Sequence, residues 1–174
     1  MNRWAVFILP EGALRTRMDA LKDRVAQVAP DAPYGRHPAH SSLIATPMND
    51  SAAWPEHLAA AVSQADPFRL EVSGPIVFYD DALTGGHTLA WRVRRSAPLV
   101  ALQQRVADAM RPWVDRSALP PLPPALAHEP YLSSYAAYGF PFVGAHWLPH
   151  FTIASPRVPR THRLVTEFAA EKVR

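Results

Sequence analysis

The 174-residue chain contains no cysteine, which excludes a disulfide framework, a thiolate metal site and a cysteine nucleophile. Lysine is nearly absent as well. Of 18 basic residues only Lys22 and Lys172 are lysine, which leaves 16 arginines. Arginine offers a planar fork matched to phosphate, although a GC-rich genome yields the same bias with no ligand behind it. The formal net charge is only +3, too weak to demand a long polyanion as partner. Long apolar runs are missing too. Trp4–Leu9 stops at Pro10 and Glu11, too short for a signal core or a membrane span. The expectation is a cytoplasmic protein without membrane contact.

What the chain does have is a globular balance, 48% apolar and 19% charged, with nineteen prolines that imply many rigid turns. Trp4–Leu9 reads as a short buried strand. Leu14, Met18, Leu21, Val25 and Val28 recur at steps of four and three, one apolar face of a helix. His40–Thr46 reads as a strand, and Asp50 or Ser51 can cap a second helix running to about residue 65. Phe68–Val72 and Ile76–Tyr79 form a strand interrupted by a bend or bulge at Ser73-Gly74-Pro75. After a turn at Gly85-Gly86, His87–Arg95 alternates, with Leu89, Trp91 and Val93 on one face and Ala90, Arg92 and Arg94 on the other.

Ser96 and Pro98 open a third helix carrying Leu99, Leu102, Val106, Met110 and Trp113 inward. A proline-rich loop spans 117–130, and Tyr131–Gly144 is aromatic and irregular. Trp147–Ser155 reads as a strand and 161–172 as a terminal helix. Helices alternate with strands, yet several strands are neighbours in sequence, which predicts an α+β fold with mixed, mostly antiparallel sheets and helices packed outside.

Two of those strands carry one pattern. His40-Ser41-Ser42-Leu43 and His150-Phe151-Thr152-Ile153 both read histidine, any residue, serine or threonine, apolar residue. In a strand, residues i and i+2 share a face, so His40 projects with Ser42, and His150 with Thr152. With eight histidines, random placement gives about 0.4 such matches per chain. One match is therefore empty, whereas two, each in an expected strand, are informative. The pairing suits phosphodiester chemistry without a metal. One neutral imidazole can take the proton of the attacking water or hydroxyl, and a second, protonated, can supply one to the leaving oxygen. The hydroxyls can hold the non-bridging oxygens where charge builds.

The paired motifs, with Pro149 just before the second histidine, resemble those of the 2H phosphoesterase superfamily, which includes the 2′-5′ RNA ligase-like and cyclic phosphodiesterase proteins. Tyr138-Gly139-Phe140-Pro141-Phe142-Val143-Gly144 is similar to the approach to the second motif in some members. The resemblance implies one two-lobed domain over 1–174, with the motifs facing each other across a cleft and no cofactor. It implies His40 and His150 as the acid/base pair and Ser42 and Thr152 as phosphate ligands. The substrate would be a nucleotide or RNA-derived phosphoester, either a 2′,3′-cyclic phosphate or a 2′,5′-linkage, with no obligate protein partner. Ser replaces the commoner Thr in the first motif. The Arg often found soon after the second is displaced to Arg157.

Other residues admit two readings. Arg92 and Arg94 could contact phosphate or form a solvated strand face. Tyr135, Tyr138 and Phe140 could stack a base or pack under a loop. His37, His57, His87, His128, His146 and His162 lack zinc-site spacing, so no metal site is expected. Two alternatives compete with catalysis: a nucleotide or RNA binder that does not turn over, and an interaction domain working through its proline-rich loop.

Overall fold

A computed structural model describes residues 3–49 and 53–171; Asp50, Ser51 and Lys172 lie outside the described residues. In chain order the elements are β1 (Arg3–Ile8), α1 (Gly12–Val28), β2 (Ser41–Pro47), α2 (Trp54–Ser63), β3 (Val72–Asp81), β4 (Gly86–Val93), α3 (Ala97–Met110), α4 (Tyr131–Tyr138), β5 (His150–Ala154) and α5 (Arg163–Ala170). Among the described residues, five α-helices with a two-stranded and a three-stranded sheet make the expected α+β fold. Among the described residues no helix is long and apolar enough to cross a membrane. The chain falls into two compact units, formed by the described residues of 1–7, 42–70 and 95–148 and by those of 8–41, 71–94 and 149–171.

In the first unit β1 pairs with β2, and α2 packs on α3. Leu99, Val106 and Met110 are buried on α3 as their spacing predicts, joined by Ala107, whereas Leu102 and Trp113 are only half-buried. Between Leu99 and Val106 sits Gln103, fully buried. Its Nε2 donates to the Leu43 and Phe142 carbonyls at 3.2 and 2.7 Å, and its Oε1 accepts from Gly144 N at 3.2 Å. A buried amide satisfied this way ties α3 to two backbone segments, β2 and residues 142–144. Two expectations need correcting. The strand at β1 is not buried: Trp4, Phe7 and Leu9 are all exposed, because a short apolar run does not reveal whether both faces of its strand are covered. Trp4 instead packs against Trp54, ring centroids 4.8 Å apart and tilted at 57°. And 131–138 is helical, ended by Gly139 in the left-handed region at φ +64°, a common helix stop.

The second unit is built on an antiparallel sheet ordered β3-β4-β5. The alternation expected for β4 holds. Trp91 lies opposite Phe151 on one side and Pro75 on the other, so Leu89, Trp91, Phe151 and Ile153 share one fully buried face. Helix α1 packs on β5, and α5 on β3 and β4, bringing Met18, Leu21, Val25, Leu164, Val165 and Phe168 into the same core. Each large side chain so buried contributes about 1.5–3 kcal/mol. The Arg17 guanidinium lies 4.3 Å from the Trp91 ring centroid. The register slips between Val72 and Gly74, which is the bulge that Ser73-Gly74-Pro75 suggested, although β3 starts only at Val72.

Candidate active site

The second strand face of this unit carries the histidines of both motifs. In β5, His150 lies opposite Arg92 and Thr152 opposite Ala90. On the other edge of β5, His40 forms an antiparallel bridge with Thr152, and Thr152 N donates to the His40 carbonyl at 2.8 Å. Directly paired residues of antiparallel strands project to the same side, and so do residues two apart along a strand. His40, Thr152 and His150 therefore share one face, with Arg92 beside His150. Ala90 and Thr152 are buried and His150 half-buried. The His150 ring packs on Phe78 at 4.7 Å between centroids.

His40 is only 4% exposed. Its Nδ1 lies 2.8 Å from the Pro38 carbonyl. A carbonyl only accepts, so Nδ1 carries the proton, and in the neutral ring the lone pair resides on Nε2. Burial pushes the His40 pKa below the ordinary histidine value. The Pro38 bond opposes that shift, while the nearby charges of Lys22 and His37 reinforce it. The net shift favours the uncharged ring, the state a general base needs.

Beneath this edge of β5 sits a group that the apolar stripe of α1 concealed. Lys22, 7% exposed, donates from Nζ to the Tyr34 carbonyl at 2.7 Å and to the Ile153 carbonyl. Burial pushes its pKa down to about 8, with Asp19 opposing. The Tyr34 ring meets His40 edge-on at 5.7 Å, and His37 meets Tyr34 and His40 at 6.3 and 6.5 Å. Lys22 falls three residues before Val25 and four after Met18, so its place on the buried face was the one available signal. Tyr34 and Phe78 gave none.

Ser42 belongs to the first unit. It is half-buried, and its carbonyl accepts from Trp147 Nε1 at 3.2 Å. Tyr138 and Phe140 lie there too. The Tyr138 hydroxyl donates to Asp108 at 3.1 Å and accepts from Gln104 at 2.9 Å; Phe140 is buried against Phe142 at 5.6 Å. Tyr135 donates its hydroxyl to the Pro120 carbonyl. Arg157, in the second unit, spends Nε and Nη2 on the Thr84 carbonyl at 3.3 and 2.9 Å. Among the described residues no cluster of three or more His, Asp or Glu could hold a metal ion.

A family model described as the 2′-5′ RNA ligase superfamily matches residues 10–173. The chain belongs to that superfamily. Membership accords with the 2H phosphoesterase resemblance of the paired motifs, and it spans both of them. No curated protein and no solved structure matches the chain.

Proposed function

We propose that this member of the 2′-5′ RNA ligase superfamily is a phosphoesterase acting at a ribose 2′-position. It would hydrolyse a 2′,3′-cyclic phosphate, or cleave or join a 2′,5′-phosphodiester, in a nucleotide or RNA-derived substrate. The observation that carries the reading is the shared strand face, where the His40–Thr152 bridge sets the buried His40 imidazole on the face that also bears His150. In hydrolysis His40 Nε2 takes a proton from the attacking water as its oxygen bonds to phosphorus. One ribose oxygen leaves phosphorus and takes a proton from a protonated His150. The Thr152 hydroxyl donates to a non-bridging oxygen as charge develops, and Arg92 beside His150 adds a phosphate contact. Ser42 enters on the motif alone, as the second hydroxyl. Proton transfer and hydrogen bonding suffice for these steps, so activity should survive a chelator.

The test is turnover of a panel of 2′,3′-cyclic nucleotides and 2′,5′-linked dinucleotides in EDTA. His40→Ala or His150→Ala should each cost about two to four orders of magnitude while leaving the protein folded. A His150→Ala protein with near-full activity would overturn the assignment. Tight nucleotide binding with no product from the native chain would leave a binder in place of an enzyme.

A further inference from the structure

From the geometry we infer that Lys22 is a positioning residue for His40, fixing the loop that carries this histidine against β5. The inference rests on the reading of His40 as the base. Among the described residues, three links tie residues 33–40 to the outer edge of β5 and to Ser155 just after it. Ser155 N donates to the Pro33 carbonyl at 2.9 Å, Thr152 N donates to the His40 carbonyl at 2.8 Å, and Lys22 Nζ joins the Tyr34 carbonyl to that of Ile153. The lysine link is the one made by a side chain, and it comes from α1 behind the sheet.

Its loop target is a strained residue. Tyr34 has φ +63°, a conformation that costs a bulky side chain energy and persists only where surroundings enforce it. Lys22 supplies part of that enforcement at the Tyr34 carbonyl, which also accepts from His37 N at 3.2 Å. With the backbone so held, the Tyr34 ring stands edge-on to His40. Lys22 thus reaches His40 twice, by contact through Tyr34 and by charge. Ionisable groups on the surrounding elements are Lys22 and Asp19 on α1, Tyr34 and His37 on the loop, His150 on β5 and Arg92 on β4. Of these, Lys22 and His37 act on the His40 charge in one direction, favouring the neutral ring. A lysine that merely plugged two carbonyls would leave the titration of His40 where it is.

The test uses Lys22→Gln, which retains a donor without charge, and Lys22→Met, which retains neither. Two quantities are followed: the NMR titration of the His40 ring, which needs no turnover, and the pH profile of kcat/KM on a 2′,3′-cyclic nucleotide. In both variants the His40 midpoint should rise by roughly half a pH unit, about a threefold loss of neutral ring on the acid side. The acid limb of kcat/KM should move with it, and Lys22→Met should lose additional kcat through the released loop. An unmoved His40 midpoint in both variants overturns the inference while leaving the phosphoesterase reading intact. If the midpoint moves but the acid limb does not, His40 is not the base, and the functional reading and the inference fall together.

Discussion

Gly139 allows backbone strain and packing to be separated in one experiment. It ends α4 at φ +64°, and a Cβ placed there would stand 2.1 Å from Thr46 Oγ1 and 2.9 Å from both Leu119 Cδ2 and Val114 Cγ1. Gly12 has nearly the same backbone, φ +56°, with nothing within 4 Å of a Cβ. Gly12→Ala therefore meets only the left-handed penalty, about 1–2 kcal/mol. Gly139→Ala meets that penalty plus overpacking of a filled site, about 1–3 kcal/mol more. Turning Thr46 aside relieves the closest clash but surrenders its 3.3 Å hydrogen bond to the Pro47 carbonyl, and the two carbon contacts remain. In a chain of this size each kcal/mol is worth about 2–4 °C, so Gly139→Ala should melt on the order of 10 °C below the native protein and well below Gly12→Ala. Paired thermal scans by circular dichroism decide it. Equal losses in the two variants would show that the space around Gly139 is not closed, and the packing argument would fail.

Two further outcomes follow from the second unit. Burial holds the Lys22 pKa at about 8 in the folded chain, against 10.5 for an ordinary lysine. Between those values the unfolded chain binds more protons, so the native protein gains stability as pH rises. Relative to Lys22→Met that gain should reach about 3 kcal/mol by pH 10.5; urea unfolding curves that keep a constant offset from pH 8 to 10.5 would refute it. Ala90, fully buried opposite both Thr152 and Ile76, keeps the strand face low between β3 and β5. Ala90→Ile should displace the His150 ring and lower kcat by about a hundredfold, the scale of a 1 Å misplacement, and unchanged kcat in a folded variant would count against that geometry.

The sheet chemistry was legible because period-two alternation is local. It placed Trp91 inward, Arg92 outward, and His150 with Thr152, from spacing alone. The pairing of His40 with Thr152 was not legible, since register between strands a hundred residues apart is set by packing and not by either sequence. Helix α4 escaped notice for a related reason: none of its residues is buried, so no apolar stripe marks it. Lys22 and Gln103 hide in otherwise apolar stripes, where a polar residue reads as an interruption until its carbonyl partners are seen. Arg157 stands out in the sequence only as the displaced arginine after the second motif, and its bonds from Nε and Nη2 to the Thr84 carbonyl are visible only in the fold.

The loop that carries His40 has a second consequence. A strand flanked on one side alone offers its remaining amides and carbonyls to any other chain, the usual route to edge-to-edge aggregation. Beyond its pairing with β4, β5 has Thr152 N and the Ile153 carbonyl taken up by His40 and Lys22, and Ser155 N just past the strand is taken up by Pro33. The loop is thus also a guard rail. Sequence changes that loosened it to admit a larger substrate would uncover a sticky edge, so solubility and substrate range draw on the same few residues.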